Sequence, residues 1–146
     1  GEQDYSLARF LMIRQMVSAD IPAVVEMVGE LRLAAGQPQD VEPERTAATL
    51  QRLIGSAWVV DFGGPVGFLA AEIVQSAISG ERIAIEHGWY CRASGWGLRL
   101  LGQYEAWAAA EGCRRVRMSA PVNGPVRGIL ERRGYEAVEI AMVRTI

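Results

Sequence analysis

The segment of residues 92–97, Arg-Ala-Ser-Gly-Trp-Gly, lies between a strand-like apolar run and a run with helical spacing. Glycines let the backbone approach a ligand closely, and the first amide groups of a helix have no partner within that helix. The positive end of the helix dipole and the guanidinium of Arg92 would both attract an anion. The spacing therefore predicts a pyrophosphate cradle, the glycine loop, made of Arg92, Ala93, Ser94, Gly95, Trp96 and Gly97.

The chain uses one type of strong cation. All 15 basic residues are arginines, and the sequence contains no lysine. Enzymes that form a Schiff base through lysine, and phosphate loops whose lysine holds a nucleotide, are therefore excluded. Charge-dependent chemistry must come from an arginine, a carboxylate, a cysteine or His87, which is the single histidine.

The composition indicates one domain without a nucleic-acid or membrane partner. The chain has 146 residues, of which 50% are hydrophobic, enough for one buried core. A net charge of -2 provides no basic field for nucleic acid. Cys91 and Cys113 lack the spacing of a zinc site, so no metal is predicted. No apolar run approaches the ~20 residues of a membrane span and no leader is recognisable, so a cytoplasmic location is expected.

Turn residues divide the first part of the chain into a strand and two helices. Residues 1–10 are predicted to form an irregular N-terminal extension, followed by a strand over residues 11–17. A helix then begins near Ile21, where Pro22 suits the first turn. A loop at residues 36–44 leads to the second helix.

The middle of the chain predicts three strands and a helix. Apolar, β-rich runs at residues 57–62 and 66–74 are joined by Gly63-Gly64-Pro65, which is typical of a hairpin. Arg82–Cys91 forms the next strand, and the glycine loop leads into a helix over residues 95–111.

A strand over residues 114–120, a helix beginning near Pro125 and a closing strand or pair of strands over residues 135–146 complete the chain. Hairpin-linked strands followed by strand–helix–strand units predict an α/β fold. We expect a single domain over residues 11–146, with a mixed sheet of about six to seven strands and helices on both faces.

These residues carry a resemblance to the GNAT superfamily of N-acetyltransferases, which transfer acetyl from acetyl-CoA to an amine. The superfamily signature for pyrophosphate is glutamine or arginine, two residues, glycine, one residue, then glycine or alanine. Arg92, Gly95 and Gly97 match this signature, between the fourth strand and the third helix as in the family. The resemblance covers residues 11–146, and it implies the GNAT fold and acetyl-CoA as the acetyl donor.

A second match is Asn123 after a strand, followed by a helix and by Gly134-Tyr135. In the family the two neighbouring strands splay apart, and the pantetheine arm of the coenzyme enters the gap. Arg127 is expected either to bind the phosphates of coenzyme A or to pair with glutamates such as Glu131. Besides the glycine loop, the resemblance assigns coenzyme binding to Trp89, Tyr90, Cys91, Asn123 and Arg127.

The chain departs from the family pattern at the general acid. Family members often carry a tyrosine seven residues after the asparagine, which protonates the leaving thiolate. This chain has Leu130 there, and leucine cannot donate a proton. Tyr135 and Tyr104 are the candidate substitutes.

Glu86 and His87 are the candidate proton carriers. The resemblance implies that a carboxylate on this strand takes the proton of the amine through water, and Glu86 is placed there. Its apolar neighbours Ile83, Ala84 and Ile85 predict partial burial and a raised pKa. The alternative is an edge carboxylate paired with an arginine. Alternation places His87 on the opposite face, as a structural or exposed residue or as a proton relay.

The resemblance implies direct attack of a primary amine on acetyl-CoA within a ternary complex. A small amine, an amino acid, an antibiotic and a protein terminus all remain open as acceptors. The alternative is a non-catalytic acyl-CoA-binding regulatory module, which Leu130 favours. Exposed terminal strands, which often pair across subunits in the family, suggest a homodimer.

Overall fold

The computed structural model describes residues 10–36 and 40–146, which contain one five-stranded sheet in chain order. The first four strands pair antiparallel, and the fifth joins the fourth in parallel. The mixed α/β class is confirmed, with five strands rather than the expected count of about six to seven. The strands are β1 (Met12–Gln15), β2 (Ala57–Asp61), β3 (Pro65–Gln75), β4 (Arg82–Cys91) and β5 (Arg115–Arg117).

The described ranges also contain four α-helices, which are α1 (Ile21–Ala34), α2 (Pro43–Arg52), α3 (Trp96–Ala110) and α4 (Pro125–Arg132). Proline lies in the first turn of α1, α2 and α4, where its missing amide leaves no helical bond unmade. A 3-10 turn at Ser18–Asp20 precedes α1. None of the helices in the described part of the chain has the length and apolarity that crossing a bilayer requires.

The sheet separates two apolar cores. On one face, α1 and α2 bury Val24, Met27 and Leu50 against β2 and β3. On the other face, α3 and α4 bury a second set, which comprises Leu100, Leu101, Tyr104, Ala108 and Leu130. Because both faces are covered, the central strands are continuously apolar rather than alternating. The predicted placement of helices on both faces is therefore correct.

Residues 135–146, the C-terminal segment, do not form the predicted closing strand. Val138, Ile140 and Met142 are exposed, with relative accessibilities of 78%, 65% and 89%. The apolar alternation favours a strand, but strand backbone groups need a neighbouring ladder, and no described residue supplies one. The segment contacts the sheet through an ion pair between Glu139 and Arg117.

The remaining boundaries agree with the sequence except at the edges of the sheet and at α2, which begins at Pro43 within the loop predicted at residues 36–44. The predicted bounds of β4 are correct, whereas the strands predicted at residues 11–17 and 114–120 contract to β1 and β5. Both are edge strands, whose ends have ladder partners on one side only. Residues 1–9 of the predicted extension and residues 37–39 of the predicted loop lie outside the described residues.

The side chain of Arg14 connects β1 to the 3-10 turn before α1 and to the end of β2. Its guanidinium donates to both carboxylate oxygens of Asp20, at 2.7 and 2.8 Å, and through Nε to Asp61 at 2.9 Å. Asp20 is 5% exposed and also accepts the amide of Val17. The hydrogen bonds from Arg14 hold the pKa of both carboxyls below their usual range. These contacts fix the edge of the sheet to the start of α1.

The substitution Arg14→Met should lower the free energy of unfolding at pH 7 by about 2 kcal/mol, because it leaves the buried carboxylate of Asp20 without its cation. Urea denaturation measures the loss. Arg45→Met is the control, since the side chain of Arg45 is 84% exposed and its pair with Glu42 contributes little. The lowered pKa values mean that the difference shrinks as pH falls below about 4. Equal stability of the two variants would contradict this role of Arg14.

Candidate active site

β4 and β5 pair for only part of their lengths. Ile83, Ala84 and Ile85 pair with Arg115–Arg117, and beyond them no pairing between these strands is found in the described chain. On its other side, β4 continues to pair with β3 as far as Cys91. Residues 86–91 therefore keep one free backbone edge. We call the space beside that edge the strand gap.

A bulge in the ladder between β3 and β4 lies where the strand gap begins. Ala71 opposes Glu86 and Ala70 opposes Gly88, so that His87 is an extra residue in β4. Bulges bend a strand and increase its twist locally. The bulge in β4 thus lies where β4 stops pairing with β5.

The glycine loop connects β4 to α3 and presents unpaired amides. The amide of Arg92 is bonded to the carbonyl of Val66 at 2.9 Å, which anchors the start of the loop. Gly95 has a φ of +80°, which favours glycine. The amide of Trp96 bonds to the carbonyl of Ala93 at 3.3 Å, and the other first-turn amides of α3 have no acceptor within the helix. This row of donors at the positive end of α3 suits an anion. In the described residues, no protein acceptor is bonded by the amides of Ala93, Ser94 and Gly95.

Trp89 and Cys91 support the glycine loop from the face of β4 that α3 covers. The indole Nε1 of Trp89 donates to the carbonyl of Gly97 at 2.9 Å, and Sγ of Cys91 lies 3.4 Å from the carbonyl of Ala93. A Cβ at Gly97 would lie 3.7 Å from both side chains, so α3 begins close to β4. These two predicted coenzyme-binding residues thus hold the loop in place.

Arg92 and Tyr90 converge on Glu30 of α1. Nε of Arg92 donates to Oε1 of Glu30 at 3.0 Å, and Nη2 contacts Oε2. The hydroxyl of Tyr90 donates to Oε1 at 3.1 Å. The hydrogen bond from Arg92 lowers the pKa of Glu30, which is therefore a carboxylate at neutral pH. Two of the predicted site residues are joined to α1 through one side chain.

A second cation lies at the start of α3. The guanidinium carbon of Arg99 is 4.3 Å from the ring centroid of Trp96, in a cation–π contact across one helical turn. Arg99 is exposed, as is the guanidinium of Arg92. The glycine loop thus has an arginine at each end.

Glu86 lies at the closed end of the strand gap. Its Oε1 accepts the amide of Ser119 at 2.8 Å, across the point where β4 and β5 separate. Burial raises the pKa of Glu86 to about 7, and the amide of Ser119 opposes that rise. Within the described chain no arginine pairs with Glu86. The carboxyl group therefore gains and loses a proton near neutral pH, the property that general base catalysis requires.

His87 lies on the other face of the sheet, as alternation predicts. Its Nε2 is 3.4 Å from Oε1 of Glu72 on β3, and Glu72 also accepts Nη1 of Arg52 on α2 at 2.7 Å. Glu86 and His87 are thus neighbours in sequence that serve opposite sides of β4. They do not share one proton path.

The two candidate tyrosines both donate to protein acceptors. The hydroxyl of Tyr135 donates to Oε2 of Glu105 at 2.8 Å, and that of Tyr104 to the carbonyl of Arg117 at 2.9 Å. Burial raises the pKa of both, so each phenol keeps its proton at neutral pH. Tyr104 is fully buried, whereas Tyr135 is partly exposed. Leu130 is 5% exposed and packs in the core under α4.

Asn123 and Arg127 lie around the start of α4. Asn123 is exposed and comes two residues before Pro125. Nε of Arg127 donates to Glu131 one turn later, at 2.8 Å, which is the surface pairing that charge patterning also predicts. Neither residue contacts the glycine loop through a described hydrogen bond.

The structure adds groups that the sequence analysis did not select. Glu30 is 62 residues from Arg92 along the chain, and no local pattern relates the two. Ser119 contributes a backbone amide, which its side-chain type does not reveal. Of these contacts, the one between Trp96 and Arg99 could have been predicted, because side chains three residues apart on a helix are neighbours. Among the described residues, no cluster of histidine, cysteine or acidic side chains could hold a metal ion.

Solved structures reproduce this architecture. Aminoglycoside N-acetyltransferase AAC(6')-Iy, in complex with CoA, superposes with a TM-score of 0.73 at 17% identity, covering 94% of this chain and 95% of that one. The chain has the GNAT acetyltransferase fold. A predicted acetyltransferase with acetyl-CoA from Clostridium acetobutylicum gives a TM-score of 0.77 at 11% identity, covering 93% and 96%.

Other comparisons limit what this GNAT likeness establishes. A transcriptional regulator from Bacillus halodurans also gives a TM-score of 0.77, at 17% identity, covering 94% of this chain and all of the other. No family model matches the sequence, and no curated protein matches it. At sequence identities of 11% to 17%, these similarities establish a shared backbone fold.

Proposed function

We propose that the protein is a GNAT-superfamily enzyme that transfers acetyl from acetyl-CoA to a primary amine. The observation that carries the proposal is the glycine loop, whose unpaired amides lie at the start of α3 beside the strand gap. An anion site and an open strand edge in one place suit a ligand with a pyrophosphate and an amide-containing arm. Glu86 supplies a proton acceptor at the end of that gap.

Backbone amides and side chains both contribute to the binding of acetyl-CoA in this proposal. The amides of Ala93, Ser94 and Gly95, with the guanidinium of Arg92, bind the pyrophosphate. The pantetheine arm pairs with the free edge of β4, and one amide of that edge polarises the thioester carbonyl. In this proposal, Tyr90 and Arg127 lie on either side of the pantetheine arm. The fit rests on the amides of residues 93–95, which bond to no described protein acceptor.

The transfer is a direct attack within a ternary complex. The amine nitrogen forms a bond to the carbonyl carbon, the carbon–sulfur bond breaks, and Glu86 takes the amine proton through water. Tyr135, the partly exposed candidate, is proposed to give a proton to the leaving thiolate in place of the missing acid at Leu130. His87, paired with Glu72, is proposed as the proton relay in place of Glu86 if the acceptor binds on the other face of the sheet.

A non-catalytic acyl-CoA-binding regulatory module is the second candidate. Two observations favour it: Leu130 is buried where the family often has its acid, and a neighbour of the same fold is a transcriptional regulator. A thiol-release assay with acetyl-CoA separates the two candidates. The amine panel contains aminoglycosides, amino acids, peptide N-termini and small amines. Coenzyme binding without transfer to any of them supports the module.

Gly95→Ala should weaken coenzyme A binding at least tenfold, because a Cβ there meets nothing within 4 Å and would occupy space that the proposal gives to the pyrophosphate. Gly112→Ala is a matched control at the other end of α3. Its φ is +84° against +80° for Gly95, and its Cβ also meets nothing within 4 Å. Both variants should lose similar stability, so calorimetry with coenzyme A isolates the effect on the loop. Coenzyme affinity equal to that of Gly112→Ala, or a preference of the wild type for ATP, would reject this site.

Glu86→Gln should reduce kcat at pH 7.5 by about 100-fold while leaving the KM for acetyl-CoA unchanged within about twofold, since the amide cannot accept the amine proton. The wild-type rate should rise with pH through about 7, because the carboxylate form grows as the proton leaves. The variant should lack that rise. Glu81→Gln, just before β4 at its opposite end, is the control. An unchanged rate in Glu86→Gln would remove it from the mechanism.

We also propose that the protein forms a homodimer through its C-terminal segment. Antiparallel pairing of two copies about Ile140 would place Glu136 opposite Arg144 and Val138 opposite Met142 of the second copy. Opposite charges and apolar groups thus meet in one two-fold arrangement. The exposed apolar side chains of the segment support this pairing.

Ile140→Lys should convert the dimer to a monomer, because two like charges would meet at the centre of the paired segments. Light scattering coupled to size exclusion measures the mass. Ile78→Lys, in the fully exposed turn between β3 and β4, should retain the wild-type mass. A monomeric wild type at ~100 μM, a concentration at which specific dimers persist, would reject the dimer.

A further inference from the structure

Glu30 connects α1 to the start of the glycine loop, because its carboxylate accepts hydrogen bonds from three donor groups. They are Nε and Nη2 of Arg92 and the hydroxyl of Tyr90. The carboxylate lies on the last part of α1, and its partners lie at the end of β4 and just beyond it. One exposed ion pair contributes little to stability, so a stability role alone does not explain three converging donors.

The helix that carries Glu30 has a fixed position on the sheet. Val24 and Met27 of α1 are fully buried against the first core. A Cβ at Gly88 would lie 3.8 Å from Leu31, so α1 approaches β4 closely beside the strand gap. Glu30 is thus held by packing on both sides of its position in the helix. The backbone position from which its carboxylate reaches Arg92 and Tyr90 is therefore fixed.

The geometry of the guanidinium determines what Glu30 does to Arg92. Glu30 occupies the edge formed by Nε and Nη2. A guanidinium has five N–H donors, so the edge formed by Nη1 and Nη2 keeps two of them for another anion. Pairing with Glu30 therefore leaves Arg92 able to bind a phosphate. It also removes most of the rotamer freedom of the arginine before a ligand arrives.

We infer that Glu30 is a positioning residue, which fixes Arg92 so that its free edge faces the pyrophosphate of acetyl-CoA. This inference rests on the proposed coenzyme site. Glu30 itself would not touch the coenzyme. The Tyr90 hydroxyl gives the carboxylate a second anchor, so that its orientation does not depend on Arg92 alone. The same contact links α1 to the proposed coenzyme site.

The test compares Glu30→Gln with Glu26→Gln. Glu26 lies one turn earlier on α1, and its charge also acts on Arg92 but without a hydrogen bond. A field effect alone predicts that loss of either negative charge tightens binding of the anionic coenzyme. Positioning predicts that Glu30→Gln weakens binding of coenzyme A about tenfold, whereas Glu26→Gln stays within about twofold of wild type. Calorimetry measures both.

A double-mutant cycle separates positioning from damage to the fold. In an Arg92→Ala background, Glu30→Gln should have no further effect on coenzyme affinity, because the residue through which it acts is absent. Tyr90→Phe should reproduce a smaller part of the loss. In the transfer assay, Glu30→Gln should raise the KM for acetyl-CoA about tenfold and leave kcat within about twofold.

Three results would overturn the inference. They are tighter binding by Glu30→Gln, affinity equal to wild type, and an undiminished effect in the Arg92→Ala background. If the wild type itself does not bind coenzyme A, the proposed function fails first. If the wild type binds and Glu30→Gln matches it, the coenzyme site stands and the role of Glu30 is rejected.

Discussion

The early end of the parallel ladder between β4 and β5 is the constraint on which the site depends. Pairing over Ile83–Ile85 fixes the two strands in one sheet, and its end leaves the rest of β4 with a free edge. Unpaired strand edges ordinarily attract other chains. Here the edge begins beside the contact between Ser119 and Glu86, and the proposed function assigns it to the extended arm of the coenzyme. Alternation places Glu86 and His87 on opposite faces, and the bulge adds His87 as an extra residue of β4 at this point.

Two carboxylates near this edge differ in pKa for opposite physical reasons. Arg92 and Tyr90 donate to Glu30 and keep it charged, whereas Glu86 loses water on burial and gains a single backbone amide. A permanently charged carboxylate can fix the direction of an arginine, and a carboxyl that titrates near 7 can move a proton. Binding and proton transfer are therefore assigned to separate groups on the two sides of β4.

Sequence reasoning succeeded at residue types, such as glycine and proline, that occur in only a few kinds of local structure. The glycines of the loop and hairpin and the prolines of the first helical turns marked most boundaries, and the apolar neighbours of Glu86 indicated its raised pKa. It failed where structure depends on distant partners. Residues 135–146 alternate in polarity as a strand does, but no strand among the described residues pairs with them. Likewise, Glu30 meets Arg92 only because α1 folds across β4.

The strong cations at the two ends of the glycine loop are both guanidinium groups, Arg92 and Arg99. A guanidinium stays protonated at physiological pH and is a poor nucleophile, whereas a lysine in either place would hold an amine near any bound thioester. With no lysine in the sequence, no side chain of the protein is an amine that such a thioester can modify. A chain of this composition can keep a reactive acyl donor bound without acylating a side-chain amine of its own.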